Sequence, residues 1–145
     1  MCKGSKQVQV LLVDDNASDV LLFRKLSSLA GCSAEIHSVS DGEAALDYLI
    51  SLSPDVGPRR PDIIILDMNM PKKNGLEVLA EIRGRAGLAP IPVYILTTTQ
   101  NPRDEARCTV LGGSGFLTKP VELDEYERLI RWLLTEELPR HQSQS

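Results

Sequence analysis

Ile63-Ile64-Ile65-Leu66-Asp67-Met68-Asn69-Met70-Pro71 is the stretch that decides the fold of this chain. A short, continuous run of β-branched and other apolar residues predicts a strand that is buried on both faces of a parallel sheet. Asp67 would stand at the carboxyl end of that strand, which is the edge where open α/β sheets bind their ligands. We therefore expect the functional residues to gather around Asp67.

The composition is that of a single globular domain. The chain has 145 residues, of which 42% are hydrophobic and 25% are charged, and its net charge is −4. This acidic balance argues against a nucleic-acid or anionic-membrane partner. We find no secretory signal and no apolar run near the roughly 18 residues of a membrane span, which predicts a cytoplasmic protein. The three scattered cysteines, Cys2, Cys32 and Cys108, predict free thiols in a reducing compartment.

Hydrophobic periodicity divides the chain into alternating strands and helices. Strands are predicted at 8–13, 34–39, 62–67, 91–97 and 115–119. Helices are predicted at 17–30, 40–51, 76–85, 101–111 and 121–137. Five such units imply a (βα)5 doubly wound parallel sheet of the flavodoxin-like class, with right-handed crossovers and strand order 2-1-3-4-5. The domain would span 8–137, between a flexible N-terminus at 1–7 and a polar tail at 138–145, with an inserted loop at 53–61.

Polar side chains end the predicted strands at the same edge as Asp67. Asp14 and Asp15 follow the first strand, Thr97 ends the fourth, and Lys119 ends the fifth. Three carboxylates in one crevice repel each other unless they share a proton or bind a hard cation such as Mg²⁺. An aspartate can also act as a nucleophile and form an aspartyl phosphate, whose oxygens then need positive charge and hydrogen-bond donors. The pattern therefore predicts phosphoryl chemistry at Asp67.

The motifs resemble those of the two-component response-regulator receiver family over roughly 8–134. They are Val13-Asp14-Asp15-Asn16, Leu66-Asp67-Met68-Asn69-Met70-Pro71 with Gly75, Leu96-Thr97-Thr98, and Gly115-Phe116-Leu117-Thr118-Lys119-Pro120. The resemblance implies that Asp67 is the phosphoacceptor for a phosphohistidine on a sensor histidine kinase. It also implies that Asp15 binds Mg²⁺ directly, that Asp14 assists, and that Asn69 offers its backbone carbonyl to the metal.

The remaining motif positions carry the switch roles of the family. By resemblance, Lys119 pairs with Asp67 or its phosphoryl group, and the Thr97 hydroxyl hydrogen-bonds a phosphoryl oxygen. Phe116 would be the aromatic that turns inward when Thr97 moves, and the Lys119–Pro120 bond is expected to be cis. Simpler interpretations remain for four of these features: Asp14 and Asp15 as a helix N-cap pair, Thr97 as a plain strand residue, Phe116 as core, and Lys119 as a solvated charge at a strand end.

Two departures from the family pattern concern the edges of the site. Thr98 stands where alanine or glycine is commoner, which predicts tighter access to the phosphoryl group. Gly112-Gly113 stands where the family usually has Gly-Ala, which predicts a looser end of the fourth helix.

Helix faces predict where partners would bind. The inward stripe of the first helix is expected to be Leu22, Phe23, Leu26, Leu29 and Ala30. That of the last helix is expected to be Leu123, Tyr126, Leu129, Ile130 and Leu133. Trp132 would then lie on the outer face as a protein contact, or else be partly buried at the rim. Val20 and Leu21 would lie beside the acidic crevice, where a kinase helix bundle could dock, unless they are stray surface residues.

The few polar residues after the last helix predict a stand-alone receiver, a switch protein rather than an enzyme. The long 53–61 loop, the 71–75 turn and Trp132 resemble the regulators of phytochrome-type histidine kinases, which form homodimers through the helix 4, strand 5 and helix 5 face. A haloacid-dehalogenase-like phosphatase is disfavoured because Asn69 replaces its second acid. A flavodoxin-like flavin protein is disfavoured because Asp14-Asp15-Asn16 would repel a phosphate.

Overall fold

The computed structural model describes residues 8–31, 34–52, 60–70 and 72–137, with the side chains of the last two residues left aside. The described residues form a parallel five-stranded sheet in the order β2-β1-β3-β4-β5, as predicted. The strands are β1 Val8–Val13, β2 Ala34–Val39, β3 Ile63–Asp67, β4 Val93–Thr97 and β5 Gly115–Thr118. The helices are α1 Ala17–Leu29, α2 Gly42–Ser51, α3 Gly75–Arg83, α4 Pro102–Val110 and α5 Leu123–Trp132, followed by a π-helical turn at Leu133–Glu137. The predictions for 1–7, for most of the 53–61 loop and for the tail lie outside the described residues.

The sheet separates two hydrophobic layers, because alternate residues of each buried strand point to opposite faces. Ile64 and Leu66 face a cluster that includes residues of α2, α3 and α4. Ile63 and Ile65 face a second cluster with α1 and α5. All four side chains are fully buried, as expected for a central parallel strand with helices on both faces.

Helix α1 buries a slightly different face from the predicted one. Phe23, Leu26 and Ser27 are buried, whereas Leu29 is 64% exposed. Ser27 can replace an apolar residue there because its hydroxyl donates a hydrogen bond to the carbonyl of Arg24, at 3.0 Å. The predicted position of Leu29 was therefore wrong, since the helix is turned so that the 23, 26, 27 face meets the sheet.

Helix α5 buries the predicted stripe except at its first turn. Tyr126 and Ile130 are buried, but Leu123, predicted to point inward, is 60% exposed. Trp132 is half-buried instead of lying on the outer face, and its ring meets that of Tyr94 edge to face at 6.4 Å between centroids. Tyr94 can lie there because Gly115 has no side chain: a Cβ on Gly115 would lie 2.7 Å from Cδ2 of Tyr94. Rim burial, the second of the two interpretations, is what the structure has.

Candidate functional site

Strand pairing brings three acidic side chains to one edge of the sheet. Strand β1 lies beside β3 with Val13 opposite Leu66, so the residues that follow these two lie at the same level. One carboxylate oxygen from each of Asp14, Asp15 and Asp67 lies within 4.8 Å of the others. Asp14 is fixed further by its backbone N–H, which donates to the carbonyl of Val39 at 3.1 Å. The crevice predicted from the sequence is therefore present.

The environment of Asp67 raises the pKa of its carboxyl group in the absence of metal. Burial raises the pKa of Asp67 to about 6, and the nearby charges of Asp14 and Asp15 add to that effect. Lys119 and the backbone N–H of Asn69 act in the opposite direction. The Asn69 N–H lies 3.4 Å from Oδ1 of Asp67. Asp67 is thus a carboxylate that gains from any added positive charge.

Lys119 extends from the end of β5 into the crevice. Its Nζ lies 3.1 Å from Oδ2 of Asp19, 3.2 Å from Oδ2 of Asp14 and 3.9 Å from Oδ1 of Asp67. Burial alone would lower the pKa of this ammonium, but the carboxylates of Asp14, Asp67 and Asp19 outweigh burial and raise it. Lys119 is therefore a permanently charged group at neutral pH.

Two residues near the site were missed by the sequence reasoning. Asp19 holds Lys119 from the first turn of α1, at 3.1 Å, and no local pattern could have paired it with a lysine 100 residues further along the chain. Tyr126 on α5 is buried, and the nearby charges of Lys119, Asp19 and Asp14 influence the pKa of its hydroxyl. Burial is the main cause that raises its pKa to about 12. No sequence pattern distinguished Tyr126 from an ordinary core aromatic.

Thr97 and Phe116 lie on the neighbouring strands β4 and β5. Thr97 is 2% exposed, and its hydroxyl donates to the carbonyl of Thr99 at 2.9 Å. Phe116 is half-buried beside the cluster that contains Cys108, and it is in register with Ile95 of β4. The N–H of Lys119 donates to the carbonyl of Thr97 at 2.7 Å, which joins the residue after β5 to the end of β4 beside the site. Phe116 lies two residues before the level of Thr97 on the neighbouring strand, and the switch roles of both residues stay predictions.

The Lys119–Pro120 peptide bond is trans, so the prediction of a cis-proline was wrong. Within the described part of the chain every peptide bond is trans. The cis form of a bond before proline is less stable by about 0.5–1 kcal/mol unless its surroundings favour it. Lys119 reaches its carboxylates from the trans bond, so aiming this side chain does not require the cis form.

The turn after β3 approaches Asp67 closely. A Cβ on Gly75 would lie 3.0 Å from the carbonyl oxygen of Asp67 and 3.2 Å from Cα of Met68. Asn74 caps α3, and Glu77 returns the hydrogen bond to the backbone of Asn74. Asn69, the predicted carbonyl ligand, is exposed at the mouth of the crevice. Gly75 thus lets helix α3 begin directly beneath the candidate phosphoacceptor.

The two departures from the family pattern have different structural settings. Thr98 is exposed. At the end of α4, a Cβ on Gly113 would collide with the sulfur of Cys108. The N–H of Gly113 donates to the carbonyl of Cys108 at 2.8 Å, so the turn is well hydrogen-bonded. The packing argues against the predicted loosening, because the sulfur fills the space of the missing methyl.

The crevice residues fit a hard divalent cation. Mg²⁺ prefers oxygen ligands and commonly takes one or two carboxylates. Asp14, Asp15 and Asp67 supply three, with one oxygen of each within 4.8 Å of the others. Bound there, the cation would neutralise carboxylates and the oxygens of a phosphoryl group.

A groove runs beside the crevice between α1 and the ends of β1 and β2. Its volume is about 630 Å³, and its lining includes Asp15, Val20, Leu21, Val39 and Ala44. Leu21 is 68% exposed, whereas Val20 is half-buried against the α1 side of the core. Val20 and Leu21 therefore line one wall of an apolar surface next to Asp15.

No helix among the described residues is long and apolar enough to cross a membrane.

A family model described as the response regulator receiver domain matches residues 10–131. The response regulator Rcp1 of Synechocystis is 35% identical over 135 residues, which cover 90% of this chain and 92% of Rcp1.

Solved structures that resemble this chain are also response regulators. The phosphorylated cyanobacterial phytochrome response regulator RcpA superposes with a TM-score of 0.79 at 33% identity, covering 88% of this chain and 91% of RcpA. The Mn²⁺-bound form of Rcp1 gives a TM-score of 0.79 at 33% identity, over 90% and 94% of the two chains. The chemotaxis regulator CheY4 of Vibrio cholerae gives 0.73 at 26% identity, over 89% and 100%.

Proposed function

Because this chain belongs to the response regulator receiver family, we propose that it is a phosphorylation switch whose phosphoacceptor is Asp67. The observation that supports this most directly is the position of Asp67 between two other carboxylates and the ammonium of Lys119. Such a carboxylate can attack phosphorus, while the surrounding positive charge stabilises the transferred group.

The transfer would proceed in one displacement. An oxygen of ionised Asp67 forms a bond to phosphorus while the bond from phosphorus to the histidine nitrogen of the kinase breaks, and that nitrogen keeps the electron pair. Mg²⁺, held by Asp14, Asp15, Asp67 and the carbonyl of Asn69, would offset the negative charge of the reacting groups. Lys119 would move the short distance from Asp67 to the new phosphoryl oxygens. Turnover is slow because Asn69 supplies no acid or base for hydrolysis.

The signal would leave the site through Thr97. Its hydroxyl now donates to the carbonyl of Thr99, and a phosphoryl oxygen on Asp67 would be a stronger, charged acceptor. If Thr97 exchanges partners, the half-buried Phe116 gains room to turn inward on the next strand. The surface formed by α4, β5 and α5 would then favour a second conformation.

A phytochrome-type histidine kinase is the proposed donor, and the exchange would take place in the cytoplasm. The regulators RcpA and Rcp1, which resemble this chain over most of its length, support that choice. The groove lined by Val20 and Leu21 gives a kinase helix an apolar surface next to Asp15.

A homodimer through the α4, β5 and α5 face is the second part of the proposal. Val110 on α4 is 85% exposed, and Val121, just before α5, is 93% exposed. Size-exclusion chromatography with and without beryllofluoride, on the wild type and on Val110→Asp, tests it. We expect a larger species for the wild type with beryllofluoride, and a monomer for the variant. Monomers in every run would contradict the dimer.

Phosphorylation of Asp67 is tested with acetyl phosphate and Mg²⁺. Intact-mass measurement should show one added phosphoryl group that is stable in acid and lost in base. Asp67→Asn should show none, and Asp47→Asn, which alters an exposed acid on α2, should be labelled like the wild type. An unlabelled wild type under every donor, or equal labelling of Asp67→Asn, would overturn the assignment.

A further inference from the structure

In the part of the chain that the structure describes, Lys119 has one carboxylate partner, Asp19, that lies outside the acidic cluster of Asp14, Asp15 and Asp67. Asp14 and Asp67 both pair with Lys119 and both belong to the group of acids that converges on the cation position. Asp19 pairs with Lys119 at 3.1 Å but is not part of that group. The ammonium is therefore shared between the site and a residue of α1.

The position of Asp19 is fixed by the start of its helix. Its N–H donates to the side chain of Asn16, the N-cap of α1, at 3.2 Å. Its carboxylate is partly exposed, whereas the side chain of Lys119 is 11% exposed. Asp19 thus reaches the buried ammonium from the solvent side and attracts it toward α1, away from Asp67.

Lys119 and a divalent cation compete for the same oxygens. An ammonium that pairs closely with Asp14 and Asp67 offsets the negative charge that attracts Mg²⁺ and lies near the position the metal would take. Asp19 supplies an alternative partner, so that Lys119 can stay in the crevice without occupying the position of the cation.

We propose that Asp19 is a positioning residue that holds Lys119 on the α1 side of the crevice and so keeps Asp14 and Asp67 available to the divalent cation. This inference rests on the metal site of the proposed function, but it concerns cation affinity and not phosphorylation. Without Asp19, Lys119 turns fully to Asp14 and Asp67 and weakens metal binding.

The test is a double-mutant cycle of Mg²⁺ affinity, measured by isothermal titration calorimetry on unphosphorylated protein. Asp19→Asn should weaken Mg²⁺ binding about five- to tenfold in the wild-type background, where Lys119 is free to compete. In a Lys119→Met background the same substitution should weaken it less than about twofold, because only the distant charge is lost. Asp124→Asn removes an exposed acid of α5 and controls for net charge.

The ratio of the two factors decides the proposal. A ratio above about 2.5-fold is the expected result, since a coupling that large shows that Asp19 acts through Lys119. A smaller ratio, or unchanged affinity in Asp19→Asn, overturns the inference. Thermal unfolding checks that each variant is folded, and Asp19→Ser replaces Asp19→Asn if it is not. Failure of acetyl phosphate labelling in the wild type would contradict the proposed function alone, because the titration needs no phosphoryl donor.

Discussion

The sulfur of Cys108 occupies the space that a side chain at position 113 would need. Cys108 is buried near the end of α4, and a Cβ built on Gly113 would collide with its Sγ. The two residues are also joined by the backbone hydrogen bond from Gly113 to Cys108. The glycine at position 113 is thus matched by the buried side chain of Cys108, five residues earlier.

This relationship predicts a non-additive pair of substitutions. Gly113→Ala should lower the free energy of unfolding by about 1–3 kcal/mol, because it overpacks a closed space. Adding Cys108→Ala should recover most of that loss, since the smaller side chain admits the new methyl group. Urea unfolding of both single variants and the double variant measures the coupling, and strictly additive values would contradict the shared space.

Gly75 is expected to be intolerant of a side chain although it lies in a helix. Alanine normally stabilises a helix relative to glycine by about 1 kcal/mol. At position 75 a Cβ would press on the backbone of Asp67, so Gly75→Ala should instead destabilise the protein and slow labelling by acetyl phosphate. Gly87→Ala is the matched control, because its Cβ meets nothing within 4 Å. Equal behaviour of the two variants would show that the close approach is unimportant.

The sequence predicted the sheet and the acidic crevice because both follow from local patterns. The apolar run of β3 ends at Asp67, and a parallel order places Asp14 beside it. Which way a helix is turned depends on packing that no single segment encodes. Leu29 and Leu123 were therefore placed wrongly, and the sequence left both the outer face and the rim open for Trp132, which packs at the rim against Tyr94. Asp19 was missed because its role depends on a lysine 100 residues away.

Titration of Asp67 predicts a pH-dependent stability in metal-free buffer. Its pKa is about 6 in the folded protein, against about 3.9 for an unfolded aspartate. The folded state binds more protons between these values, so stability falls as the pH rises from about 4 to about 6. Asp67→Asn should lack this loss and be more stable than the wild type by about 1–3 kcal/mol at pH 7, with little difference below pH 4.

Urea unfolding from pH 3.5 to 8 with a chelator present measures this effect. Added Mg²⁺ at pH 7 should recover the lost stability in the wild type and much less in Asp67→Asn, because the variant has lost one carboxylate ligand. Parallel stability curves for the two proteins in the chelator would contradict a raised pKa at Asp67.

Trp132 is expected to stabilise the fold whether or not it also takes part in an interface. Its edge-to-face contact with Tyr94 and its half-buried ring predict a loss of about 2 kcal/mol for Trp132→Ala. Val121→Ala removes a side chain that is 93% exposed and should change stability little. A loss of dimer in Trp132→Ala is therefore interpretable only if the variant is folded at the temperature of the measurement, which circular dichroism establishes. Unchanged unfolding would place Trp132 outside the core.

Leu21 predicts a difference between protein and small-molecule phosphoryl donors. It lines the groove beside Asp15 and is 68% exposed, so a kinase helix would bury it, whereas acetyl phosphate would not touch it. Leu21→Ser should slow transfer from the phosphorylated kinase about five- to tenfold, as expected for one apolar contact at an interface, and leave acetyl phosphate labelling near the wild-type rate. Leu29→Ser is the matched control, because Leu29 lies on the same helix, is 64% exposed and is not among the residues that line the groove. Rapid-quench measurement of both variants with both donors separates docking from chemistry. Equal slowing by Leu21→Ser and Leu29→Ser would mean that the kinase does not recognise this groove.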